Sequence, residues 1–134
     1  MKINLKEKAL DIEGKDVIDL YRDDKGTEIK RARTMKDNLL RLLSSQFDGN
    51  IMSGPRDYTN IYTLSQKINK NDGEIEISNE KIDFLKKLIK HNKTIYFVKA
   101  AHGLVRQDRN LFTPFEAGQL LHFLGEKGEK EDNK

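Results

Sequence analysis

The chain has 134 residues, 36% of them hydrophobic and 35% charged, with a formal net charge of +3 and no Cys. One domain is the natural outcome of that length, and the missing cysteines exclude a disulfide framework, a thiol nucleophile and a thiolate metal site. No stretch approaches the roughly 18 apolar residues that a membrane helix requires, and "MKINLKEKALDIEG" lacks the long apolar core of a signal peptide.

In chain order, "KINLK" (2–6) alternates well enough for a short strand. "DVIDLYR" (16–22), "DDKG" (23–26) and "TEIKR" (27–31) then read as a β-hairpin, with Asp and Gly supplying the turn. Thr34 opens a helix whose apolar face is Met35, Leu39, Leu42, Leu43 and Phe47, ended by Asp48-Gly49-Asn50. Ser53 or Asp57 begins a second helix, with Pro55 near its start and Tyr58, Ile61, Tyr62, Leu64 and Ile68 as its apolar side. "EIEI" (74–77) is short enough to be only a strand or an extended lead-in. Ser78 caps a third helix, in which Ile82, Leu85, Leu88 and Ile89 form the buried stripe.

The segment "TIYFVKAAHGLVRQ" (94–107) fits two readings. Its leading apolar residues suit a strand, whereas the alanines and the spacing of Ile95, Val98, Ala101 and Val105 suit a helix capped by Thr94. The helix is taken, with Gly103 as its weak point. The last helix, 114–124, begins with Thr113, Pro114 and Glu116 in capping-box spacing and buries Phe115, Leu120, Leu121 and Leu124. From Glu126 onward almost nothing is apolar, which predicts a disordered charged tail over 126–134. The expected fold is α+β: one small domain over 1–125, an N-terminal β-hairpin or small sheet packed on about four short helices.

Four stretches, "MKINLKEKALDIEG", "YTLSQKI", "EIEISNEKIDFLKKLI" and "NLFTPFEAGQLLHFL", together resemble a group of small, largely uncharacterised bacteriophage and prophage proteins. The hairpin at 16–31 looks like an elaboration on that pattern. What the resemblance implies is a phage-encoded origin. It supplies no catalytic residues.

The chemistry-bearing residues are sparse. His91, His102 and His122 lack the i, i+4 spacing of a zinc pair. Asp23-Asp24 suits a turn, and Glu74/Glu76 the wet face of a strand. No phosphate-cradling glycine loop and no Ser–His–Asp pattern is present, so no catalytic, cofactor or metal residue is assigned and an enzyme is not expected. Charge distribution is more informative. Residues 30–41 carry five basic groups against Asp37, and residues 81–109 carry eight against Asp83 and Asp108, while Glu7 to Glu28 is acidic. Lys30, Arg31, Arg33, Lys86, Lys87 and Lys90 are therefore the candidate contacts to nucleic acid or an acidic partner, with Tyr58 and Tyr62 as base-stacking platforms. The plainer reading outweighs this one: a solvated lysine face, two tyrosine rings in the core, and charges that arrange the protein's own contacts.

The expected function is that of a non-catalytic phage accessory protein in the cytoplasm of a bacterial host or on the virion. It would act by contact with a phage or host protein, in virion assembly or host modulation, with at most weak nucleic-acid binding and no membrane contact. The alternative is a nucleic-acid-binding regulator using stretches 30–41 and 81–109.

Overall fold

Ile3 and Ile75 lie opposite each other in a short antiparallel pairing that ties the start of the chain to its middle. The computed structural model describes residues 1–126. Strands β1 (Lys2–Asn4) and β4 (Glu74–Glu76) make this pair, each with its central isoleucine buried and its flanking polar residues in water. That alternation is the period-2 signature of a half-buried strand.

The expected hairpin forms from β2 (Ile18–Arg22) and β3 (Glu28–Ala32), in a register that sets Leu20 opposite Lys30. Its turn forms because the Asp23 carboxylate accepts N–H bonds from Lys25 and Thr27, and Gly26 takes the positive φ of 78° the chain needs there.

Four α-helices supply the core: α1 (Met35–Leu43), α2 (Pro55–Asn69), α3 (Asn79–His91) and α4 (Pro114–Phe123). Three of them start on a side-chain cap, from Thr34, Ser78 and Thr113. Thr113 and Glu116 form the expected capping box, each side chain accepting the other's backbone N–H at 3.2 and 3.0 Å. Helix α1 packs on α2, and α4 closes over α1 and α3. Leu39, Leu42, Leu85, Leu88, Leu120 and Leu124 are fully buried between them. Each such leucine contributes about 1.5–3 kcal/mol through the area it removes from water. The chain is thus α+β, with four helices and three two-stranded antiparallel sheets among the described residues.

Four expectations need correction. Residues 94–107 are not helical: β5 (Lys93–Ala100) and β6 (Gly103–Asn110) form an antiparallel hairpin, with Val98 opposite Val105. The β-branched and aromatic run Thr94–Val98 prevails over the two alanines, and Gly103, at φ 116°, serves the turn rather than weakening a helix. Helix α1 stops at Leu43, so Phe47 lies beyond it, and its residue bridges Thr94 at the root of this hairpin. Tyr58 and Tyr62 are 58% and 63% exposed, so their rings are outside the core. In α4 the fully buried leucines are Leu120 and Leu124, while Leu121 is only half-buried and Phe115 is exposed. As for the tail, Glu126 is held in place, its carboxylate 2.6 Å from the Lys90 ammonium and its N–H donated to Leu121 O. Residues 127–134 of the expected tail lie outside the described residues.

Candidate interaction surface

The β5–β6 ribbon is firmly rooted and then leaves the body of the protein. At the root Asn92, in the left-handed conformation at φ 56°, ends α3. Its carboxamide clasps the far strand's exit, donating to Phe112 O and accepting from Phe112 N, both at 2.8 Å. The buried Thr94 hydroxyl donates to Arg109 O, and Ile95 N–H donates to Gln46 O. Arg106 bridges Asp48 at 3.1 Å and Asp108 at 3.0 Å; the Asn50 N–H first, and then Arg106, hold the Asp48 carboxyl below its ordinary pKa.

Beyond these anchors, every residue from Tyr96 to Asn110 except Val98 is exposed. The register puts Phe97, Lys99, Leu104 and Arg106 on one face and Tyr96, Val98, Val105 and Arg109 on the other. Leu104 is 70% and Phe97 55% exposed, and Arg109 stacks on Tyr96 at 5.3 Å. Apolar side chains therefore meet water on both faces. An isolated two-stranded ribbon is marginal by itself, and grouped exposed apolar side chains of this kind mark contact surfaces.

The basic residues singled out from sequence do not form one surface. Lys30 is exposed on β3. Arg31 stacks on Tyr21 at 4.8 Å and pairs with Asp37 at 3.0 Å. Arg33 is spent on Asp19 and Glu116. On α3, Lys86 is half-buried and Lys90 pairs with Glu126. Lys87 reaches Ser53 and Asp57 across a cleft of about 400 Å³ between α2 and α3. The Ser53 N–H, 2.6 Å away, is the main reason the Asp57 carboxyl sits below its ordinary pKa. Arg31, Arg33, Lys87 and Lys90 thus pair with carboxylates of the chain itself, Arg33–Asp19 being the pair that joins the acidic segment to a basic one. His91 lies 6.1 Å from the Phe47 ring, while His102 and His122 are exposed on the ribbon turn and α4. Among the described residues no three His, Asp or Glu side chains are arranged to hold a metal ion. No described helix is long and apolar enough to cross a membrane.

A second cleft, of about 560 Å³, opens between the β2–β3 hairpin and α1. Arg31, Arg33 and Arg41 line it with Asp19, Asp37 and Asn38, and Leu20, Tyr21 and Leu40 complete its wall. Asn38 is only 3% exposed, and its Oδ1 is buried without a hydrogen-bond partner among the described residues. Sequence reasoning missed it. The available signal was its position, three residues after Met35 and four before Leu42, which puts an amide on the apolar face of α1. Compared with protein-family models, with curated proteins and with solved structures, the chain matches none.

Proposed function

We propose that this is a non-catalytic, phage-encoded accessory protein that acts by protein–protein contact, in virion assembly or in modulating a host protein. The β5–β6 ribbon is its contact element. One observation carries the reading: the ribbon offers Tyr96, Phe97, Leu104 and Val105 to solvent from a well-anchored root. Aromatic side chains and arginine are the types enriched in protein interfaces, and the ribbon bears both. The phage attribution rests on the sequence resemblance alone.

A second reading, nucleic-acid binding, draws on the ribbon's charge. Between Lys93 and Asn110 four basic groups stand against Asp108, so this segment carries a net +3, equal to that of the whole chain. A two-stranded ribbon also fits a major groove. Against it, Arg106 is held by Asp48 and Asp108, which leaves fewer cations to meet phosphates. Retention on single- and double-stranded oligonucleotides at two salt concentrations separates the readings, because phosphate binding releases counterions and falls steeply with salt. Weak retention supports protein contact. Tight, salt-sensitive retention would favour nucleic acid.

A further inference from the structure

The outer edge of β6 is an open pairing surface, separate from the side-chain faces of the ribbon. Ile95 donates its N–H away from β6, to Gln46 O, and in an antiparallel ladder its pair Asp108 then turns its own N–H and C=O away from β5. Arg106 and Leu104, two and four residues earlier on the strand, turn the same way. None of these outward groups has a hydrogen-bond partner among the described residues. The β5 edge differs, because the chain at Gln46 and Phe47 covers its root. Proteins blunt open edges with short strands, bulges, prolines or charges. Strand β6 pairs over eight residues without a bulge, has no proline and is exposed throughout. Charge is its one guard, and the two charged residues that turn outward, Arg106 and Asp108, are opposite in sign.

We infer that the β6 edge pairs antiparallel with the β6 edge of a second copy of this chain, and the inference rests on the reading of the ribbon as a contact element. A twofold axis at Gln107 sets Arg106 opposite the second copy's Asp108, and Asp108 opposite its Arg106. Moving the axis to Arg106 sets the two arginines opposite each other, so charge selects the first register. The cross-strand pairs leave the present ones in place. Arg106 bonds Asp108 through Nε and Asp48 through Nη2, so its Nη1 and the Asp108 Oδ2 have no hydrogen-bond partner among the described residues. The result is a four-stranded sheet in place of a two-stranded ribbon that is marginal alone. Because the same edge serves both chains, the assembly closes as a dimer.

The test is the mass of the full chain in sedimentation equilibrium, at concentrations rising to about 1 mM, the weak end of specific association. The expected limit is twice the 15.5 kDa chain mass. Amide exchange at Arg106 and Asp108 should slow as the dimer fills, because their outward N–H groups become paired. Arg106→Asp and Asp108→Arg should each weaken dimerisation at least about tenfold, since each turns two attractive pairs into two repulsive ones. An equimolar mixture of the two variants should dimerise again, because each chain then faces opposite charge. Asp108→Arg keeps the Arg106–Asp48 bridge at the ribbon's root, so it stands as the test should Arg106→Asp fail to fold. A chain that stays monomeric throughout, or a dimer whose Arg106 and Asp108 amides exchange at monomer rates, would overturn the proposal. So would variants that dimerise as well as the parent, or a mixture that stays monomeric. A monomer that still captures a partner sinks this inference alone, whereas a dimer that captures none sinks only the partner reading.

Discussion

Arg33 grips Asp19 with two teeth, Nη2 lying 2.7 Å from Oδ1 and Nε 2.9 Å from Oδ2. Its remaining terminal nitrogen, Nη1, reaches Glu116 of α4 at 3.2 Å. One guanidinium thus ties the β2–β3 hairpin to the closing helix, and each partner is less than a third exposed. Paired, charge-assisted bonds of this kind are stronger than neutral ones.

The first prediction follows from that grip. The hydrogen bonds from Arg33 hold the Asp19 carboxyl below its ordinary pKa, and Asp19 in turn raises that of Arg33. A carboxyl depressed in the folded state adds stability that is present above its unfolded pKa and is lost as the pH falls through the folded value. Stability should therefore decline as the pH drops below about 4. Asp19→Asn should cost about 1.5–3 kcal/mol at neutral pH, the range for hydrogen bonds to charged groups. It should also flatten the acid limb. Denaturant midpoints at neutral and acidic pH check both; a variant with an unchanged acid limb would show that Asp19 is not coupled to folding.

The leucines of α4 are separable. Leu120→Ala should cost about 2–5 kcal/mol, the range for emptying a buried leucine site, because Leu120 is fully buried. Leu121, half-buried, should cost less. Thr113→Ala removes only the cap and should cost about 0.5–2 kcal/mol. Urea denaturation of the three variants gives the order, and equal losses at Leu120 and Leu121 would contradict the burial described.

Where local rules act alone, the fold was readable. Thr34, Ser78 and Thr113 cap helices as their spacing suggests, and "DDKG" makes the turn it spells. What failed needed tertiary information. The β5–β6 ribbon is wet on both faces, so it lacks the apolar–polar alternation that identifies a half-buried strand. Apolar spacing alone placed Tyr58 and Tyr62 in the core, yet α2 buries Asp57, Leu64 and Ile68. Of the candidate contacts, Arg31 and Arg33 do share one cleft, but their acidic partners Asp37 and Asp19 could be found only through the hairpin's register and its approach to α1.

Gly103 discriminates between helix and hairpin. In a helix interior, Ala in place of Gly gains about 0.5–1 kcal/mol. In the hairpin, Gly103 holds φ 116°, which an L side chain rarely adopts, with open space around it. Gly103→Ala should therefore loosen the ribbon by about 1 kcal/mol or more through backbone strain alone. Faster amide exchange confined to residues 97–106 is the expected observation. Slower exchange there would indicate the helical alternative.

The most direct test of the central claim is quantitative capture of protein partners from bacterial lysate by the parent chain and by Phe97→Ser/Leu104→Ser. Both side chains are exposed on one face of the ribbon. Stability should stay within about 0.5 kcal/mol of the parent, as for surface positions, so a loss of partner can be assigned to the surface itself. The account predicts that partners recovered with the parent fall by at least about tenfold with the variant, the loss expected from 1.4 kcal/mol or more of contact energy. Equal recovery by the two proteins would contradict it.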